Sequence, residues 1–399
     1  MFGFANFLLL ALFAAAVFDL IFALARGGGL RGALHGLWNT PHLLFGQQLA
    51  EWRLQLGRIL FAAGLAAYEI SVVFCNSMAR QNWAWVQGVM SPVLEWLAFL
   101  CFGAKILFGT RYTWRELLAG GALYFIARWV YFNSQNIWWI GIVVAVLAAK
   151  DVSLRRPLQV YFASGCAAMA AVLALHFAGI VAPDLTSERM GALRGTYGYG
   201  HPNTFGGLVF GLVLAYALLR TQKVRWVDCL LVFAVGVFLL VGPASRSAAL
   251  CTLALAVGLV FCRLRTGHSV PRWWPGTCAG MVGLTAAVSY LLPLLVIKVG
   301  PWNNDIGPAW LAKLDSLLTC RISLTWMAYR LLDVKIAGQV FNWPTVDNSF
   351  AFALFQFGPV VAALLGILFA AALWGHAKQG RRVEAVSYTH LTLPTKLEV

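Results

Sequence analysis

Three arginines in the second half of the chain, Arg194, Arg246 and Arg321, are of the residue type best suited to hold a phosphate by two parallel hydrogen bonds. Arg194 opens the run RGTYGYGHPNTFGG (194–207), rich in glycine and aromatics. Pro202 sits where a helix can begin, because its missing N–H would be unpaired there in any case. His201 and Asn203 then belong to that first turn, and a helix start flanked by glycine amides favours anions. An ordinary tight turn between helices is the plainer reading of the same run. Arg246 stands in GPASRSA (242–248), a very short connection between two apolar runs. A charge at such a depth is costly unless it is paired or faces a cavity, although an arginine also snorkels to anchor a helix end. Arg321 lies within 314–334, where Leu314, Leu317, Leu318, Ile322, Leu324, Met327 and Leu331 recur at roughly helical spacing with a mixed polar face. Arg330 and Lys335, which follow, read as a solvated face. Asp347 and Asn348, in TVDNSF (345–350), stand at the start of another apolar run. Asp347 suits a helix N-cap, and the same position suits a general base at a membrane surface.

Other polar groups form no constellation. Asp19, Glu69 and Glu95 lie singly within apolar runs, and pairing with helix ends accounts for them. P-loop, HExxH and EF-hand spacings are absent, as is an outward DxD-like pair. The eight cysteines are scattered without a CxxC pair and read as small buried apolar residues. Nothing in these patterns implies a metal or a cofactor.

The elements that must position these residues follow from composition. Of 399 residues, 60% are hydrophobic and 11% are charged, whereas a soluble domain carries about 25% charged residues. So apolar a chain cannot cover a globule with polar surface, and lipid is its expected solvent. Runs such as VDCLLVFAVGVFLLVG (227–242) are continuously apolar, while barrel strands alternate, so the spans read as helices. Candidate spans are 4–25, 57–77, 85–108, 116–132, 137–149, 158–182, 203–220, 226–242, 247–262, 276–299 and 346–374, about eleven in all. The expected fold is an all-α, polytopic transmembrane helix bundle with a long extracytoplasmic loop (301–345) carrying an amphipathic helix before the last span. Trp83, Trp85, Trp138, Trp139, Trp273 and Trp274 at span ends suit an interfacial belt.

The net charge of +15 would suggest nucleic acid in a soluble protein, but cytoplasmic loops of membrane proteins collect Lys and Arg. One alternating set of connections, 26–58, 105–115, 150–157, 220–225, 263–272 and 378–382, holds nineteen of them against ten in the other set. The richer set is therefore expected inside, the N-terminus outside, and every candidate residue above on the outer face. Residues 1–385 read as a single transmembrane domain, with the motif-bearing part at 190–375. The end of the chain, VSYTHLTLPTKLEV (386–399), resembles translated sequencing-adapter read-through and is expected to be foreign to the fold.

Taken in order, Arg194 with GYGHPNTFG, SRSA (245–248), Arg321 on the long loop, and DNSF (347–350) with Gly358 beyond it resemble the O-antigen polymerase and ligase superfamily, in particular its exopolysaccharide and capsule repeat-unit polymerase branch. The resemblance covers about 190–375; the N-terminal half matches only in being hydrophobic spans. It implies a metal-independent membrane glycosyltransferase without cofactor. Its donor would be a glycan on polyprenyl pyrophosphate, and its acceptor a lipid-linked repeat unit. A flippase and a chain-length regulator would be its partners, nucleic acid would not, and a bacterial cytoplasmic membrane would be its location. By carry-over Arg194, Arg246 and Arg321 would hold the pyrophosphate, with Asn203 and Asn348 on substrate and Asp347, or else His201, as base. The ligase branch usually places a histidine before the asparagine of the last motif. Asp347 stands there, which tilts the reading toward a polymerase. The alternatives are a ligase that transfers glycan to a terminal acceptor, and a flippase or transporter using the same arginines on a headgroup. A transporter is expected to show repeated halves with broken helices at mid-membrane, and no internal repeat is visible.

Overall fold

The computed structural model describes residues 2–26, 29–45, 50–181, 187–189, 192–220, 224–264, 273–296, 307–318, 320–341, 346 and 349–378. The chain divides into two compact units, residues 1–181 and 182–399, within what the sequence reads as one membrane domain. The motif-bearing stretch falls wholly inside the second.

The first unit contains α1 (Phe2–Ala25), α2 (Gly29–Asn39), β1 (His42–Leu43), α3 (Ala50–Cys75), α4 (Ala79–Asn82), a π-helical turn (Val86–Met90) leading into α5 (Ser91–Phe108), β2 (Arg111–Tyr112), α6 (Trp114–Ser134), α7 (Trp138–Ala149) and α8 (Arg155–Phe177). Helix α3 packs along α5 and α8, and small residues set how closely it does so. A Cβ on Gly57 would come within 2.8 Å of the Gly109 Cα, and one on Gly64 within 2.9 Å of the Phe102 ring. Strands β1 and β2 pair antiparallel, His42 opposite Tyr112 and Leu43 opposite Arg111. Helix α6 starts at a capping box, with the Thr113 N–H donating to Glu116 Oε2 at 2.8 Å and the Glu116 N–H to Thr113 Oγ1 at 3.3 Å. Lys105 is buried, and its Nζ donates to the Thr110 hydroxyl at 3.0 Å and the Lys150 carbonyl at 2.7 Å.

The second unit contains a short hairpin of β3 (Ser187–Arg189) and β4 (Ala192–Arg194), then α9 (Pro202–Arg220), α10 (Trp226–Val241), α11 (Arg246–Leu264) and α12 (Trp274–Leu291), which ends in a 3₁₀ turn (Leu292–Leu295). It continues with α13 (Ala309–Leu317), α14 (Arg321–Leu331), α15 (Ser349–Phe357) and α16 (Pro359–Lys378). Helices α9, α10 and α11 pack together, and α12 packs on α15 and α16. Val296, Leu311 and Ile322 form one small core and Ala328, Val346, Ala351 and Phe355 another, so α13 and α14 are packed elements of this unit.

Among the described residues six helices are long and apolar enough to cross a membrane: Asn6–Ala25, Glu51–Cys75, Val86–Phe108, Arg155–Phe177, Pro202–Arg220 and Arg246–Leu264. Four apolar helices are shorter: Trp139–Ala149, Trp226–Val241, Ala279–Leu295 and Pro359–Ala371. The expected span 116–132 lies in α6, which is helical but also carries Arg115, Glu116, Arg128 and Asn133 and is absent from both groups. Outward faces are apolar: Phe7, Leu10, Phe13 and Ile21 on α1 and Val227, Leu230 and Val241 on α10 are each more than 60% exposed. Each such side chain left in water forgoes roughly 1.5–3 kcal/mol, so these faces belong in lipid.

Two expected helices are broken. The span 346–374 is interrupted at Gly358, whose φ of 85° is left-handed. A loop reaches into the break, since a Cβ on Gly338 would come within 2.6 Å of the Gln356 carbonyl carbon. The amphipathic stretch 314–334 is two helices, α13 and α14, with Cys320 between them at φ 64°. The adapter-like tail lies outside the described residues.

Candidate functional site

Histidine is an uncommon helix cap, yet His201 caps α9. Its carbonyl accepts the N–H groups of Thr204 at 3.1 Å and Phe205 at 3.3 Å. Its Nδ1 also accepts the Asn203 backbone N–H at 3.1 Å, taking the role that a Ser or Asp oxygen fills elsewhere. That bond sets the tautomer: Nδ1 is the acceptor, so the neutral ring carries its proton on Nε2 and presents a donor there.

Two residues on, the Asn203 side chain is a hub. Its Oδ1 accepts from Arg194 Nη2 at 3.1 Å and from the Ser245 hydroxyl at 3.4 Å. Arg194 is 7% exposed; its Nε also donates to the Pro243 carbonyl at 3.3 Å and its Nη2 to the Ala244 carbonyl at 3.3 Å. One guanidinium thus ties β4 to the start of α9 and to the α10–α11 connection. The connection needs this hold, because Ala244 sits at φ 51°, a conformation costly for a residue with a Cβ. The Gly195 N–H donates to the Gly242 carbonyl at 3.4 Å, a second tie between the same segments.

Aromatics pack beside these ties. Tyr197 lies tilted against Phe205 at 5.0 Å and Phe238 at 5.6 Å, and Tyr199 tilted against Phe205 at 5.5 Å between ring centroids. Close packing of α9 on α11 depends on Gly206, where a Cβ would come within 2.7 Å of Ser245 Cβ and 3.1 Å of Ala248 Cβ. The start of α9, the end of α10 and the start of α11 therefore meet in one place, and Arg246, half-buried, is the first residue of α11.

Arg321 is the first residue of α14, also half-buried. Asp315 of α13 holds that helix start. Its Oδ1 accepts the N–H groups of Ile322 at 2.8 Å and Ser323 at 3.1 Å, and its Oδ2 accepts the Ser323 hydroxyl at 2.8 Å. The Arg321 charge acts on Cys251, five residues along α11 from Arg246, about 7.5 Å of helix. Tyr329, further along α14, packs edge-on against Phe355 at 5.2 Å, and burial pushes its phenol pKa up.

The structure thus brings Arg194, His201 and Asn203 together with the start of α11 that bears Arg246, and it sets Arg321 in electrostatic reach of that helix. Asp347 and Asn348 lie outside the described residues. Sequence reasoning quoted Ser245 within SRSA but gave it no role, and it missed Asp315, which precedes Arg321 by six residues without forming a recognisable motif. Among the described residues no cluster of three or more His, Cys, Asp or Glu side chains is placed to hold a metal ion. Comparison with protein-family models, functionally described proteins and solved structures gives no match.

Proposed function

We propose that the protein is a polymerase of lipid-linked oligosaccharides, working on the outer face of a bacterial cytoplasmic membrane as a multi-pass bundle of about eleven spans. The observation that carries the reading is the meeting of three helix ends around Arg194, Asn203 and Ser245, which fixes His201 and Arg246 at one end of a helix trio whose faces suit lipid. Arg321, at the helix start that Asp315 caps through Ile322 and Ser323, adds a second cation whose charge acts on Cys251 of α11.

In this reading the acceptor hydroxyl oxygen attacks C1 of the donor sugar. The C1–O bond to the pyrophosphate breaks, a glycosidic bond forms, and polyprenyl pyrophosphate leaves with the bonding electrons. Arg246 and Arg321 neutralise the charge that grows on the leaving oxygen, and His201 Nε2–H donates to a phosphate oxygen. Arg194 is committed to carbonyls and to Asn203, so its part is to hold the site together. Asp347 takes the acceptor proton. Two lipid substrates held side by side supply the proximity term.

The test is chain lengthening in liposomes with a polyprenyl-pyrophosphate oligosaccharide. A ladder of multiples that Arg246→Gln and Arg321→Gln each reduce about a hundredfold, with folding intact, supports the reading. An undiminished ladder in the double variant sinks the assignment of the arginines. A single unchanged band with substrate moved across the bilayer identifies a flippase instead.

A further inference from the structure

Helices α10 and α11 pack closely and are joined by the short connection 242–245, so they run antiparallel. An open groove of about 520 Å³ lies along the pair, lined by Trp226, Cys229, Leu230 and Phe233 of α10 and by Ala256 and Val260 of α11. Ala256 is ten residues along α11 from Arg246, about 15 Å of helix, so the groove occupies the far end of the pair and the proposed reaction does not use it. Small buried side chains, Cys229 and Ala256, make its floor. Large exposed ones, Trp226, Leu230 and Phe233, stand along it for about 10 Å of helix. Hydrocarbon and aromatic walls that face lipid suit a hydrocarbon chain.

The charges at the mouth select the headgroup. Trp226 and Val260 line the groove together, so the start of α10 and the end of α11 are level. Arg225 precedes Trp226 by one residue, and Arg263 follows Val260 by three, almost one turn on the same face. Both arginines are exposed, and the Arg263 charge acts on Cys229 in the groove floor. Each guanidinium carries five N–H donors in a plane that suits phosphate oxygens.

The one acid nearby is already neutralised. Asp228 is the only Asp or Glu between Glu188 and Asp305, and it is buried. Its carboxylate accepts the Tyr216 hydroxyl at 2.6 Å, the Arg220 Nε–H at 3.1 Å and the Arg225 backbone N–H at 2.7 Å. Both connections at this end, 220–225 and 263–272, belong to the Lys/Arg-richer set expected on the cytoplasmic side. Basic pockets between helices on that side take anionic lipid headgroups.

We propose that the groove binds an anionic phospholipid, with one acyl chain along Trp226–Phe233 and the phosphate on Arg225 and Arg263. The net charge of the headgroup then decides affinity. In phosphatidylglycerol the phosphate charge is uncompensated. In phosphatidylethanolamine an ammonium offsets it, and Asp228, spent on Arg220 and Tyr216, offers that ammonium no partner.

The test is native mass spectrometry of the purified full chain equilibrated with equal amounts of phosphatidylglycerol and phosphatidylethanolamine bearing the same acyl chains. Wild-type protein is expected to retain phosphatidylglycerol about tenfold over phosphatidylethanolamine. Inorganic phosphate at the same concentration is expected not to displace it, because the acyl chain supplies the rest of the affinity. Arg225→Gln with Arg263→Gln alters exposed side chains alone and is expected to remove the preference. Ala256→Leu fills the groove floor, leaves both arginines in place and is expected to lower retention of phosphatidylglycerol about tenfold. Equal retention of the two lipids by wild type, a preference unchanged in the double arginine variant, or wild-type retention by Ala256→Leu overturns the proposal.

Discussion

Arg194 Nη2 and Asn203 Oδ1 are joined by a hydrogen bond of 3.1 Å, and that bond connects a strand end to a helix start across a loop containing Tyr197 at φ 51° and Gly198 at φ 82°. Asn203 shares the same oxygen with Ser245. The 194–207 motif is therefore organised around an amide and a buried guanidinium, not around exposed cations.

Replacing Arg194 tests this directly. Lysine keeps the charge but loses the fork that reaches Pro243, Ala244 and Asn203 together. Arg194→Lys is expected to destabilise the protein by about 2–4 kcal/mol, and Arg194→Ala by at least as much, because buried carbonyls lose their donor. Thermal unfolding in detergent reads this without any substrate. An Arg194→Lys protein with unchanged melting temperature and no chain lengthening would return Arg194 to the role of a phosphate ligand.

The close approach of α9 to α11 gives a second expectation. Gly206→Ala puts a methyl group into the space held by Ser245 and is expected to cost about 1–3 kcal/mol. Ser245→Gly alone removes a hydrogen bond to Asn203 and costs about 1 kcal/mol. The double variant Gly206→Ala with Ser245→Gly is expected to be more stable than the sum of the two single effects, because the small residue has only changed sides. Additive losses in the melting temperatures would show that the two side chains do not share that space.

Helices were legible where a single physical term dominates. Apolar run length alone predicts helices that the structure places within a few residues, for example 203–220 against Pro202–Arg220 and 226–242 against Trp226–Val241. Gly358 and Cys320 were not legible as breaks, because a left-handed residue is set by what packs against it, here the loop at Gly338 and the Asp315 cap. In the site, residue type pointed to Arg194, His201 and Asn203; His201 is held by its near neighbours, but the parts of Arg194 and Asn203 were set by partners distant in sequence. Pro243 and Ala244 lie some fifty residues from Arg194, so its hold on their carbonyls could not be read from the run 194–207.

Asp315 is expected to control Arg321 at a distance from any substrate. Asp315→Ala removes three acceptor contacts from the first turn of α14 and is expected to cost about 2–3 kcal/mol. Asp315→Asn keeps one oxygen for the two backbone N–H groups but loses the negative charge at a helix N-terminus, so a loss of about 1 kcal/mol is expected. If Arg321 serves the reaction, chain lengthening falls with Asp315→Ala while Arg321 is still present, and recovers in part with Asp315→Asn. Equal activity in all three proteins would separate α14 from the reaction.

Two glycines of the same region should respond in opposite directions to alanine. Gly358, at φ 85°, has the Ile336 carbonyl carbon 2.6 Å from where a Cβ would stand, so alanine there meets both backbone strain and overlap with a main chain that is slow to yield. A loss of about 3 kcal/mol or more is expected, together with separation of α15 from α16. Gly366, one helical stretch further along α16, has nothing within 4 Å of its Cβ position and carries no positive φ. Alanine at 366 removes the conformational freedom of glycine from a helix interior and is expected to stabilise by about 0.5–1 kcal/mol. Paired melting curves of Gly358→Ala and Gly366→Ala therefore test the break itself: a continuous helix through 349–378 would make both substitutions favourable, whereas the bent arrangement requires the first to fail and the second to help.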